Sequence, residues 1–380
     1  MIRRYPLLSI AGAMTAFAAT TPALANAGDK ISGSYICVFK PGVANARAEA
    51  SRAASQGGGA LHHVYEHSIR GFSAAMSSAG AAQIQSHNPR IAFCEQDQEV
   101  EAIQGGPLDF RVLGRPSPSQ PQQTVPWGVT RVHGGPGTGS GSGTAWVIDS
   151  GISLTHPDLN VDVARSRNFS TGTSPEDGNG HGSHVAGIIG AKDNAIGVVG
   201  VSPGATLVAV RVLNNAGSGT TSGVIAGVDY VAGAGSQGDV ANMSLGGGVS
   251  QALDDAVVAA AATGVKFTLA AGNESDSATN HSPARANGPN VYTVSAFAKG
   301  TSATDTDDPW ASYSNYGTPV DFGEPGSSIP STYKSGGYAT LSGTSMAAPH
   351  LAGILLVGTA KSGGTVDNDP DGNPDTIGTK

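Results

Sequence analysis

Charge is scarce in this chain. Only 13% of its 380 residues are Asp, Glu, Lys or Arg, against 39% hydrophobic. That balance supplies a sizeable buried core and argues against wholesale disorder. The formal net charge is −8, and no basic run offsets it, so a nucleic-acid partner is not expected. Cysteine is nearly absent. Cys37 and Cys94 stand alone, far along the chain from the residues that carry chemistry, which disfavours a thiol nucleophile. Long apolar runs are missing too. The stretch from Leu7 to Ala19 is too short to cross a bilayer of ~30 Å as a helix, and no later segment is long and apolar enough to span. Glycine, in contrast, is abundant at 55 residues. It shows no three-residue period, which excludes collagen and points to tight turns and close helix–sheet approach.

The apolar stretch has another reading. Arg3 and Arg4 precede it and Ala23-Leu24-Ala25 follows, giving the charge, core and cleavage-site order of an export signal over 1–25. The product is expected outside the membrane, extracellular or periplasmic. Such a destination permits disulfides.

Three segments follow. Residues 26–102 hold a small α+β unit: strand candidates 35–39, 61–67, 71–77 and 91–97, with helix candidates 43–55 and 79–87. The order β-α-β-β-α-β is that of a ferredoxin-like fold. Residues 103–121, rich in Pro, Ser and Gln, read as a linker and processing region. From 122 to 380, β-branched runs at 144–149, 206–213, 239–245, 265–271 and 290–297 alternate with helix candidates at 181–190, 221–233 and 251–263. This pattern predicts an α/β domain, a parallel sheet with helices on both faces, with its site at the carboxyl ends of the strands.

Chemistry-bearing residues fall at those ends. Asp149 ends the run TAWVID, where a half-buried carboxylate needs a donor; alone, it would read as a turn cap. His181 opens the helical segment GHGSHVAG, with His184 three residues on. The pair lacks the HExxH spacing and glutamate of a zinc site. Ser345, in SGTSMAAPHLAG, enters a helix whose apolar run continues to about Ala360, near free N–H groups and the positive dipole end. An inert N-cap is the plain alternative. Asn273 follows VKFTLAAG; alone it would be a turn residue. Together the four have a chemical logic. Histidine takes the serine proton near neutral pH, aspartate holds the imidazole tautomer, and an asparagine amide can donate to an oxyanion beside a backbone N–H. The order Asp149…His181…Ser345 differs from those of chymotrypsin and the α/β-hydrolases.

VIDSGI, GHGSHVAG, AAGNES and SGTSMAAPH resemble the four signature blocks of the subtilase family, in the family's order. DSGISLTHPDL and SYSNYG extend the resemblance across 122–360. SPAR and WASYSNYG lean towards the proteinase K branch, while QTVPWGV and DNAIGVVGVSP resemble true subtilisins. YICVFKPG, RGFSAAMS and NPRIAFCEQD are similar to the family's inhibitory propeptide.

The resemblance implies a serine endopeptidase acting on polypeptides through an acyl-enzyme, made as a self-processing precursor with its own propeptide as intramolecular inhibitor. A monomer is expected, and catalysis needs no cofactor. Substrate would pair as a strand with segments containing Gly217 and Ser244-Leu245-Gly246. Small pocket walls near Ser244–Gly246 and Ala270–Gly272 imply a broad preference for apolar or aromatic residues before the scissile bond. A structural Ca²⁺ is implied at Gln123, Asp158 and Asn194, completed by backbone carbonyls of Lys192, Ile196 and Val198. The rival, an inhibitor fused to a dead protease scaffold, is disfavoured because all four catalytic positions are filled. Two departures stand out. Glu324-Pro325-Gly326 replaces the family's Ala-Pro-Gly, an expected loop change. A short acidic tail, VDNDPDGNPD, replaces a terminal helix. Asp367, Asp369, Asp371 and Gly372 mimic a calcium loop, but its twelfth position is Gly378, so a solvated tail is expected.

Overall fold

The computed structural model describes residues 26–103, the backbone of 111–114, and residues 120–302 and 307–380. The export-signal segment lies outside the described residues, as does most of 103–121.

The amino-terminal unit runs β1 (Lys30–Phe39), α1 (Ala46–Gln56), β2 (Ala60–Tyr65), β3 (Gly71–Ala75), α2 (Ser78–His87) and β4 (Ile91–Ala102). Asn45 and Ser77 start the helices by accepting the N–H groups of Ala48 and Gly80. The strands order β4-β1-β3-β2, all antiparallel, the ferredoxin-like arrangement. Cys37 and Cys94 face each other directly in the β1–β4 ladder and form a disulfide. A one-residue slip would have turned one sulfur to the other face; the register avoids it.

The expected linker contains β5 (Arg111–Gly114), a strand that composition gave no sign of. After it come α3 (Trp127–Arg131), β6 (Thr144–Asp149), β7 (Arg167–Asn168), α4 (His181–Gly190), β8 (Thr206–Arg211), β9 (Ser218–Thr220), α5 (Thr221–Ala234), β10 (Val240–Met243), β11 (Leu245–Gly247), α6 (Gln251–Ala261), β12 (Lys266–Ala270) and β13 (Val291–Phe297). The chain closes with β14 (Val320–Pro325), β15 (Ile329–Tyr333), β16 (Gly337–Leu341), α7 (Thr344–Val357), β17 (Lys361–Thr365) and β18 (Thr376–Thr379).

The central sheet is ordered β17-β18-β14-β13-β12-β10-β6-β8-β7 and is parallel except for its β17–β18 edge. Alternation along β6 feeds both faces. Ala145 and Val147 pack with α4 and α7, whereas Trp146 and Ile148 pack with α5 and α6. From β6 the chain moves one way to β8 and then crosses back to β10. The carboxyl end of β6, where Asp149 sits, is therefore the switch point at which α/β sheets open a crevice.

At the carboxyl terminus the acidic segment 366–375 is largely solvated, with 367, 368 and 370–374 exposed, but it is anchored by buried Val366 and Asp375. Beyond it β18, which the sequence did not suggest, extends the central sheet beside β14 and buries Ile377. No helix follows Val357, so α7 stops short of Ala360. The signal was weak because KSGGT and TIGT have no apolar period; pairing with a distant strand decides their structure. Glu324, expected in a loop, lies in β14. It is fully buried and faces Gly378 of β18, where a side chain would strike Oε1 at 2.3 Å. Burial raises its pKa well above the carboxylate range, opposed only in part by Arg131 and the backbone N–H of Gly378.

Asp375 makes the tail pH-sensitive. It accepts a hydrogen bond from Ser295 Oγ. Burial, reinforced by Asp369, Asp371 and Asp321 and opposed by the Ser295 bond, pushes its pKa up to about 7. The folded state thus holds a proton that the unfolded state, near ~3.9, has released. That stabilisation is complete below the lower value and is lost as pH rises through the upper one. Asp375→Asn should flatten the fall in Tm between pH 5 and 8, measured on a catalytically dead background. An unchanged slope would show that Asp375 does not titrate in this range.

Candidate active site

The strand ends and helix starts converge as the sequence pattern requires. Asp149 ends β6, His181 opens α4, Ser345 sits in the first turn of α7, and Asn273 follows β12. Gly182 lets α4 abut the β6 loop, since a Cβ there would lie 2.1 Å from Gly151 O. His181 Nδ1 is 2.9 Å from both Asp149 oxygens, and Ser150 N–H donates to Oδ1 at 2.6 Å. The side chains of Asp149, His181 and Ser345 are all buried.

One contact is not made. Ser345 Oγ donates to Ser244 O at 3.0 Å, and His181 Nε2 has no partner among the described residues. Asn273 is held the other way round. Its Oδ1 accepts from Thr344 N and Oγ1 at 2.9 and 3.0 Å, which leaves buried Nδ2 unpartnered. A base nitrogen and an amide donor are thus left without partners among the described residues.

The cleft is filled by the chain itself. β4 runs antiparallel between β9 and β11. Ala102 N donates to Gly217 O at 2.9 Å, and Ile103 N donates to Ser244 O at 3.3 Å. Gly217, Ser244, Leu245 and Gly246 therefore bind an extended backbone. A pocket of about 410 Å³ opens beside Ile103, walled by Gly246, Ala270, Ala271, Gly272 and Asn273.

Burial opposes the charged form of His181, but the charge and hydrogen bond of Asp149, aided by Asp177, outweigh it and raise its pKa. His184 has a different role. Its Nε2 meets the carbonyls of Ile329 and Ala339, and burial drives its pKa down to about 3. It ties α4 to the β15–β16 hairpin. No group of three or more His, Cys, Asp or Glu placed to hold a metal occurs among the described residues.

Gln123, Asp158 and Asn194 do meet. Asn194 Nδ2 donates to Asp158 Oδ1 at 2.9 Å, and Asn194 N donates to Gln123 Oε1 at 2.6 Å. Val198 N and Tyr338 Oη donate to Asp158 Oδ2, each at 3.2 Å. Lys192 turns aside to Pro157 O.

The subtilase family profile matches residues 145–364, the span holding Asp149, His181, Asn273 and Ser345. This chain belongs to the subtilase family. It is 42% identical to alkaline serine exoprotease A of Vibrio alginolyticus over 78% of its own length, and spans about half (53%) of that protein. It is 45% identical to subtilisin Savinase of Lederbergia lenta, covering 62% of this chain and 84% of the relative. Among solved structures, a cold-adapted subtilisin-like serine proteinase aligns at 38% identity with a TM-score of 0.55, covering 66% of this chain and 96% of the other. Fervidolysin from Fervidobacterium pennivorans, a keratinolytic enzyme related to subtilisin, aligns over 87% of this chain and 55% of its own at a TM-score of 0.66; at 23% identity that is a likeness of fold.

In this subtilase, sequence reasoning missed Asp177. Its carboxylate accepts from Ser150 Oγ, Asn179 N, Gly180 N, Ser183 N and Ser183 Oγ, joining the Asp149 loop to the start of α4. The signal was an acidic residue just ahead of Gly180-His181, which reads as a loop charge until its partners are known. Thr344, which fixes the Asn273 amide, gave no signal at all.

Proposed function

We propose that the protein is a secreted serine endopeptidase, made as a precursor whose residues 26–102 fold into an inhibitor of its own active site. Ser345 attacks the scissile carbonyl, His181 takes and returns the proton, Asp149 orients His181, and Asn273 with the Ser345 N–H binds the oxyanion. The observation that carries this reading is the course of β4: the chain's own backbone lies between β9 and β11 as a peptide substrate would. Further support comes from the caps that β4 supplies. Asp97 accepts Ser222 N and Oγ at the start of α5, and Glu95 accepts Ser250 Oγ at the start of α6. Each acid meets the positive end of a helix, so both domains gain from docking. A pocket with walls of glycine and alanine fits apolar or aromatic side chains, with little further discrimination.

A fluorophosphonate separates this reading from an inhibitory protein on a dead scaffold. The processed wild type should be labelled to one equivalent and Ser345→Ala not at all. Unlabelled, correctly folded wild type would overturn the assignment.

The pH profile tests the base. Catalysis needs neutral His181, whose pKa is raised. Acidification should therefore cut kcat/KM with a midpoint above ~6.5. A flat profile down to pH ~5 would remove His181 from the role.

Calcium is part of the same proposal. Asp158 is buried, and burial raises its pKa against the hydrogen bonds from Val198, Asn194 and Tyr338, which lower it. Carboxylate, amide oxygens and nearby backbone carbonyls suit Ca²⁺, which would pin the Gln123 segment to the loop at Asn194. With calcium at a hundredfold its Kd, chelation should cost ~2.7 kcal/mol, a drop of roughly 5–10 °C in Tm. Asp158→Asn should abolish that response while leaving kcat nearly intact. Inhibited enzyme whose melting ignores EDTA would refute the site.

A further inference from the structure

Two backbone contacts bracket Ser345. On one side, Ser244 O accepts both the Ser345 hydroxyl at 3.0 Å and the Ile103 amide at 3.3 Å. The carbonyl carbon of Ile103, two bonds from that amide nitrogen, is thus the next electrophile along the chain from the nucleophile's own acceptor. The Ile103 side chain packs over Gly246, where an added Cβ would meet its Cδ1 at 3.0 Å, and it borders the pocket that Asn273 lines. On the other side, β5 pairs antiparallel with β16: Gly114 opposite Tyr338, Val112 opposite Ala339, Arg111 opposite Thr340. β16 leads through Ser342-Gly343 directly into the turn carrying Ser345. Followed backwards from Gly114 to Arg111, β5 runs along β16 towards the nucleophile. The chain is therefore bound on both sides of Ser345, with residues 104–110 between.

We propose that the free edge of β16 is a strand-docking site on the leaving-group side of the active centre. The first self-cleavage falls between Ile103 and Gln104, and the new amino-terminal segment then stays paired to β16 as a strap until a second cut near Gln122 removes it. The proposal rests on the endopeptidase reading above. In the first cut, Ser345 Oγ bonds to the Ile103 carbonyl carbon and its proton passes to His181. The Ile103–Gln104 C–N bond breaks, and the Gln104 amine leaves with that proton. Water then cleaves the ester, freeing the Ile103 carboxylate and restoring Ser345. Gln104 remains covalently joined to the enzyme through the chain to Gln122, so the leaving group does not diffuse away. Its strand is retained by backbone pairing, a mode that tolerates any side-chain sequence.

The test is a time course of purified wild-type precursor followed by intact mass and amino-terminal sequencing. The first new terminus is expected at Gln104, with shorter forms arising from that species. Val112→Pro removes an N–H and disfavours strand pairing, so the Gln104 species should be trimmed several-fold faster, with the first cut unchanged. On a Ser345→Ala background, Val112→Cys with Ala339→Cys should cross-link on oxidation, because directly opposed residues lie within disulfide reach. Val112→Cys with Thr340→Cys, one residue out of register, should not. A first terminus near Gln122, or equal cross-linking of both pairs, would overturn the proposal and leave self-processing intact. A wild-type precursor that persists uncut would overturn it together with the reading beneath it.

Discussion

Ser345→Ala should leave the precursor uncut and reduce peptide hydrolysis by on the order of 10⁶-fold in kcat, a magnitude carried over from subtilisin. The reason is local. His181 Nε2 and Asn273 Nδ2 are buried and without partners among the described residues, and the Ser345 hydroxyl is the nucleophile that the proposed mechanism assigns to them; alanine leaves base and donor with nothing to activate. In the structure the hydroxyl instead donates to Ser244 O, an acceptor it must leave to give its proton to His181. Fold is not at stake, because Ser345 Oγ makes one hydrogen bond and alanine suits a first helical turn. Residues 26–102 should therefore remain attached and docked. Normal-length mature Ser345→Ala protein from a protease-free host would show that another enzyme does the processing.

Asn273→Leu should be the second-largest effect: kcat down by ~10²–10³-fold with KM little changed, a scale also known from subtilisin. Asn273 Nδ2 is buried and unpartnered while Oδ1 is held by Thr344. The amide thus carries an unmet donor that only a developing oxyanion satisfies, which confines its value to the transition state. Leucine removes the donor at similar volume. Ground-state binding through Gly217 and Ser244 is untouched, so KM is the control. A loss shared equally between kcat and KM, or an accompanying fall in Tm of several degrees, would mean that Asn273 acts by packing instead.

How far the sequence could be read depended on where each element finds its partners. The helix from His181 to Gly190 and the strand from Thr144 to Asp149 were legible to the residue, because apolar runs with abrupt glycine boundaries mark them locally. Asp149, His181, Asn273 and Ser345 could be picked out as candidates because four short blocks each keep their chemistry within a few residues. β5 and β18 were not. Both are short strands without a period of their own, created by the edges of β16 and β14 from more than fifty residues away. Glu324 misled for a related reason: its burial is set by Gly378, which lets the tail strand lie against it. Asp177 could be given a role only once its five donors were brought to it by the fold.

The cross-link between β1 and β4 bears on how quickly activity appears. It ties residues 57 apart, which by loop entropy alone disfavours the unfolded amino-terminal unit by ~4 kcal/mol. On the precursor reading proposed above, a piece cut free at its carboxyl end should keep its shape and remain able to rebind the cleft. Active enzyme should then accumulate only as these pieces are diluted or digested, and the onset of proteolysis should follow a lag set by concentration, long in concentrated solution and short after dilution.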